Sequence, residues 1–162
     1  MKFIQSELPA DIIYLRQVAE SGFSSTTDAN LDNWFSFEEM ERMISQGRGT
    51  CIKAVDEEYK ILGMIYAQQE NPINGKEGLE KWVINIISVD PNATGKGIGS
   101  GLLEALENYA KNRGCIKMFV YTNKSDEHIV NFYKKNGYSD AGWIKDYQYG
   151  KNNSAVFLIK YL

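Results

Sequence analysis

Histidine and cysteine are nearly missing from this chain of 162 residues, which has one His and two Cys. Cys51 and Cys115 stand apart, outside any CxxC or Cys/His cluster, so no metal site is expected. The opening MKFIQSELPADI has no apolar leader segment, which argues against a disulfide between them and for a reducing cytoplasm. Long hydrophobic runs are also absent: none approaches the roughly 20 residues that cross a bilayer, and no membrane role is expected. Nor does the chain carry a block of like charge. Its 18 basic and 21 acidic side chains are dispersed, with a net charge of −3, and no nucleic-acid partner is expected. Linkers, repeats and low-complexity tracts are lacking, so residues 1–162 read as one domain.

Apolar periodicity fills that domain. Met1 to Gln5 reads as a strand, and Pro9 and Asp11 open a helix with Ile12, Leu15, Val18 and Ala19 at helical spacing. Ser36 and Glu39 form a capping box, and Phe35 and Met40 a hydrophobic staple, for a helix from Phe37 to Ser45. Strands follow at Thr50 to Val55 and Ile61 to Gln69 across the polar turn DEEYK, and then Asn71, Pro72, Asn74 and Gly75 mark a loop. Trp82 to Val89 and Ile116 to Tyr121 read as buried strands, separated by a helix whose face is Ile98, Leu102, Leu106, Tyr109 and Ala110. A short helix from Glu127 to Lys135, capped by Ser125 or Asp126, precedes an antiparallel pair at Tyr138 to Tyr149 and Ala155 to Tyr161. The fold class is α/β (α+β), with a central β-α-β unit in a mixed sheet.

Between the strand ending at Val89 and the helix face beginning at Ile98, the sequence reads DPNATGKGIGSG, with glycine at 95, 97, 99 and 101. A helix N-terminus presents unpaired N–H groups and partial positive charge, and glycines let such groups converge on phosphate oxygens. The dinucleotide pattern GxGxxG fails, because Ser100 and Leu102 stand where its last glycine belongs. A Walker loop fails as well, because Lys96 precedes Gly97.

VDPNATGKGIGSGLL instead resembles the acetyl-coenzyme A signature of the Gcn5-related N-acetyltransferase (GNAT) family, V-x-P followed by Q/R-G-x-G-x-G/A. Val89, Pro91, Gly95, Gly97, Gly99 and Leu102 match, and Thr94 stands where Gln or Arg is usual. HIVNFYKKNGY resembles a second segment of that family, with Phe132, Tyr133, Lys135, Gly137 and Tyr138 in register and Asp126 and Ile129 in place of Asn and Ala.

The resemblance implies a mostly antiparallel sheet of about six or seven strands flanked by about four helices. It also implies transfer of an acetyl group from acetyl-CoA, as co-substrate, to a primary amine of a small molecule or peptide. A non-catalytic acyl-CoA-binding module of the same fold is the alternative. The resemblance assigns pyrophosphate to the main-chain N–H groups of Gly95, Lys96, Gly97, Ile98, Gly99 and Ser100, with Thr94 beside them. It assigns pantetheine to the main chain of Ile87, Ser88 and Val89, with Asp126 as a further contact. By the same resemblance Tyr133 also meets the cofactor, and Lys135 is either solvated or near the phosphates. A backbone N–H near Val89 would polarise the thioester.

Tyr133 is the candidate proton donor to sulfur, or else a core aromatic. The strand Val83 to Ser88 offers no acidic base, so Glu80, Glu70, Asp146 or solvent would serve. His128, in the first turn of its helix, reads as a surface residue. Trp34 and Tyr147, with Phe35, Trp143 and Tyr149, either wall an acceptor pocket or fill a core, and Asp28, Asp32 or Asp146 would attract the amine. Peptide N-termini, lysine, polyamines and aminoglycosides all remain open as acceptors, as does a homodimer.

Overall fold

The computed structural model describes residues 1–70 and 75–162. Its strands are β1 (Lys2–Gln5), β2 (Gly49–Val55), β3 (Ile61–Gln69), β4 (Lys81–Val89), β5 (Lys117–Asn123), β6 (Ser139–Ile144) and β7 (Ala155–Tyr161). The helices are α1 (Ile12–Phe23), α2 (Phe37–Ser45), α3 (Lys76–Glu80), α4 (Ile98–Asn112) and α5 (Glu127–Lys135). One seven-stranded sheet runs in the order β1-β2-β3-β4-β5-β7-β6. Every neighbouring pair is antiparallel except β4 and β5, which are parallel and joined through α4. That crossover is the expected central β-α-β unit.

Two cores cover the two faces of the sheet. On one, Ile98, Leu102, Leu106 and Ala110 of α4 pack with Ile65, Ala67, Trp82 and Ile84, joined by Tyr133 from α5. On the other, Leu15, Val18 and Ala19 of α1 and Phe37, Met40 and Met43 of α2 pack on Cys51, Met64, Tyr66 and Ile86. Half of the capping box forms at α2. Ser36 Oγ accepts the Glu39 N–H at 3.1 Å, whereas the Glu39 carboxylate turns to Arg42. Phe35 and Met40 are both buried in the staple arrangement.

Some boundaries move. The strand expected over Tyr138 to Tyr149 is only Ser139–Ile144, because the chain turns out of the ladder and the hairpin reaches β7 through a long loop. β7 lies inside the sheet and leaves β6 on the edge with every residue exposed. Helix α3 has a single turn, too short to leave a periodic signal, and Gly75 at φ +58° is its N-cap. Asn71, Pro72 and Asn74 of the expected loop lie outside the described residues.

β4 holds the decisive irregularity. Tyr66 pairs with Ile86 and Ala67 with Ile84, so Asn85 is an extra residue opposite β3, a β-bulge. The bulge changes which face each side chain meets. Trp82 and Ile84 lie under α4, whereas Ile86 lies under α1 and α2 and Ile87 and Val89 return to the α4 side.

Candidate active site

β4 and β5 pair only from Lys81↔Lys117 to Ile84↔Val120, yet β4 continues to Val89 and β5 to Asn123. Beyond the bulge the two strands part. The resulting cleft is lined by Ile84 to Ile87 and Val120 to Thr122, with Asp126, Ile129 and Tyr133 of α5 on one side. Phe23, Asp28 and Trp34 close the other side, and the Trp34 indole donates to the Asp28 carbonyl at 3.1 Å, fixing that loop.

The open edge of β4 carries usable main-chain groups. Asp90 N–H donates to Leu62 O at 2.8 Å, toward β3. By the alternation of an antiparallel ladder, the N–H and C=O groups of Val89 and Ile87 then face the parted side. Ser88 is committed elsewhere. Its main chain turns to β3, and its buried hydroxyl donates to Val18 O at 3.1 Å. The helix α1 approaches so closely there that a Cβ on Gly22 would lie 2.0 Å from the Ser88 hydroxyl.

The glycine loop follows at the end of this edge. Gly95 and Gly97 adopt φ +77° and +75°, and a Cβ on either would meet nothing within 4 Å. Gly97 is the N-cap of α4. From Gly95 to Ser100 no main-chain N–H donates to an acceptor among the described residues; the first paired one is Gly101 N–H, to Gly97 O at 3.0 Å. These amides form an exposed, unencumbered cradle with the positive end of a 15-residue helix behind it. Gly99 and Gly101 serve packing as well. The Phe132 ring lies 3.2 Å from a Cβ built on Gly99, and the Phe3 ring 2.2 Å from one on Gly101. The Ile98 side chain is buried in the α4 core, the Thr94 hydroxyl donates back to Pro91 O, and Lys96 is exposed.

Tyr133 is both a core aromatic and a cleft residue. It is 2% exposed, with its ring against Phe132 and Tyr138, and burial pushes its phenol well above the ordinary tyrosine value. Asp126 caps α5 by accepting the Ile129 N–H, and it raises the pKa of Asp28, whose main cause of elevation is desolvation. Lys135 and His128 are exposed on α5, outside the cleft lining.

A second cavity, about 440 Å³, adjoins the cleft and shares Trp34, Asn85 and Tyr121 with it. Phe35, Tyr66, Tyr147 and Tyr149 complete an aromatic wall. Tyr147 stacks edge-on against Tyr121 and Phe157, with ring centres 5.2 and 5.0 Å apart. Trp143, expected in this wall, instead lies outside it under the Lys124 ammonium, 3.8 Å from the ring centre, because the edge strand turns it to solvent. The one carboxylate among the lining residues is Glu39, held ionised by its Arg42 partner. Asp32 pairs with Arg16 instead.

None of the expected bases lines either cavity. Glu80 pairs with Lys76, Glu70 with Lys81, and Asp146 sits in the β6–β7 loop with φ +52°. The sequence marks none of Glu39, Tyr66, Gln68, Asn85 and Tyr121 as a site residue, and Glu39 only as half of a capping box. Tyr66 and Gln68 had carried only a strand signal, and the hydroxyl of the first donates to the amide of the second at 2.6 Å. Among the described residues no group of three or more metal-ligating side chains converges, and no helix is long and apolar enough to cross a membrane.

The central β-α-β unit with a glycine cradle at the start of α4 is the arrangement that the sequence resemblance implied. The chain belongs to the acetyltransferase (GNAT) family, whose profile matches residues 14–138. It is 33% identical over 106 residues to the uncharacterized protein YdhI of Bacillus subtilis, covering 62% of this chain and 60% of that one. Across the curated relatives it matches, the chain spans from 30% to 60% of their lengths. Its fold is like that of the ribosomal-protein-alanine N-acetyltransferase from Brucella melitensis, with TM-score 0.82, 18% identity and full coverage of both chains. An aminoglycoside 6'-N-acetyltransferase complexed with coenzyme A gives TM-score 0.77 at 19% identity, covering 99% of this chain and 97% of that one.

Proposed function

We propose that residues 1–162 form one N-acetyltransferase domain that moves an acetyl group from acetyl-CoA to a primary amine. The observation that carries this reading is the cradle of unpaired amides from Gly95 to Ser100, continuous with the parted β4–β5 edge. The protein's residues fit coenzyme A at both ends: the open space over Gly95 and Gly97 suits a diphosphate, and the free main-chain groups of Ile87 and Val89 suit an extended amide-bearing arm. Bound there, the cofactor supplies an activated acyl group as a thioester.

The protein has three tasks. Val89 or Ile87 N–H receives the charge that grows on the acyl oxygen. Tyr133, kept protonated by burial, gives its proton to the departing sulfur. The aromatic cavity holds the acceptor. A free alkylamine is mostly ammonium at neutral pH, since its pKa is near that of lysine, about 10.4. The rings of Trp34, Tyr121 and Tyr147 suit such a cation, whereas the Glu39 carboxylate at the rim is already paired with Arg42.

The test is thiol release from acetyl-CoA with tyramine, an alanine-initiated peptide, spermidine and kanamycin as acceptors. We expect turnover with at least one. Tight CoA binding without turnover of any of them would leave a non-catalytic binding module instead.

A further inference from the structure

Asn85 occupies the bulge of β4, between Ile84 and Ile86, which pair with Ala67 and Tyr66. It lines the cofactor cleft and the acceptor cavity at once. Its Oδ1 is shut off from solvent and has no hydrogen-bond donor among the described residues. An acceptor atom left buried and unpaired is costly, and such atoms are rare in folded proteins. The residue that carries it lines both cavities.

We propose that the Asn85 carboxamide oxygen accepts an N–H of the uncharged acceptor amine and turns the nitrogen lone pair toward the acyl carbon. The inference rests on the N-acetyltransferase reading above. A neutral primary amine has two N–H groups and one lone pair, so donating to Asn85 leaves the lone pair free to attack. An ammonium ion has no lone pair to offer. The role requires the carboxamide to turn about its soft χ2 torsion, so that the oxygen, enclosed in this structure, enters a cavity.

A carboxamide accepts a hydrogen bond but takes no proton near neutrality, so Asn85 orients the amine without deprotonating it. Water removes the ammonium proton before attack. The nitrogen–carbon bond then forms as the carbon–sulfur bond breaks. Nitrogen loses one proton to water, sulfur gains one from the Tyr133 phenol, and water restores the phenol. The products are an N-acetylated amine and a free thiol, with no other reactant consumed.

Thiol release from acetyl-CoA between pH 6 and 10, with the fastest acceptor of the four above, tests this on the full chain. Asn85→Leu keeps the branched outline of the side chain and removes the acceptor atom. We expect kcat/KM for the amine to fall by about 30-fold or more, with KM for acetyl-CoA changed by less than about twofold. Asn85→Asp puts a proton acceptor in the same place. It should move the alkaline rise of kcat/KM down by about one pH unit or more, a shift that a purely structural residue does not produce. Asn85→Leu within about twofold of the parent, or an Asn85→Asp profile superimposed on the parent's, overturns the proposal. If Asn85→Leu fails to fold, the Asn85→Asp profile alone decides. Loss of all turnover in the parent, with CoA still bound, would instead sink the function reading and this inference with it.

Discussion

A phenol can hand a proton to a departing sulfur only if it still carries that proton at neutral pH. Tyr133 meets that condition through burial alone, with no charged group needed to hold the proton. Tyr133→Phe removes one oxygen from a ring otherwise fixed by Phe132 and Tyr138. We expect kcat to fall about 100-fold, with CoA affinity and melting temperature nearly unchanged, measured by thiol release and calorimetry. Two other buried groups shape stability. Burial pushes the Cys51 thiol up from 9.0 to about 12 and the Cys115 thiol to about 11. Both cysteines are free, and in the unfolded chain both titrate in the ordinary range. Above that range the unfolded state therefore binds fewer protons than the native one, so stability falls as pH rises. Each thiol contributes a slope of about 1.4 kcal/mol per pH unit. Denaturant unfolding between pH 9 and 10 should show this decline, and Cys51→Ala with Cys115→Ala should flatten it.

The first turn of α4 makes a claim of its own. Gly97 points into open space at φ +75°, a conformation that Asp adopts more readily than most residues. Gly97→Asp should therefore fold with a melting temperature within a few degrees of the parent, yet weaken CoA binding by tenfold or more by calorimetry, since its charge opposes a diphosphate. That loop was legible because glycine spacing and an apolar helix face are local signals. So were α1, α2, α5 and the strand cores. The bulge at Asn85 was not. Burial alternates without interruption at Trp82, Ile84, Ile86 and Ser88 along β4, so the sequence pattern passes straight through a change of face. Glu39 has the spacing of half a capping box, but its carboxylate pairs with Arg42 and the residue lines the cavity, neither of which a local pattern shows. Trp143 was misplaced because the end of β6 is set by a register shift at Asp140/Gly142 that no periodicity announces.

At the scale of the whole molecule, strand order matters more than strand content. β7 pairs with β5 on one side and β6 on the other, over the register Lys117↔Tyr161 to Asn123↔Ala155. Its Leu158 and Ala155 are fully buried. A chain stopped at Ser154 would leave β5 with a bare hydrogen-bonding edge and β6 with no partner at all. We expect such a truncation to lose its cooperative thermal transition by circular dichroism, whereas removing Met1 alone should barely change it. A ribosome making this protein thus cannot release a finished sheet piecemeal. The half bearing the cradle keeps an open strand edge until the strand that wedges between β5 and β6 has cleared the exit tunnel.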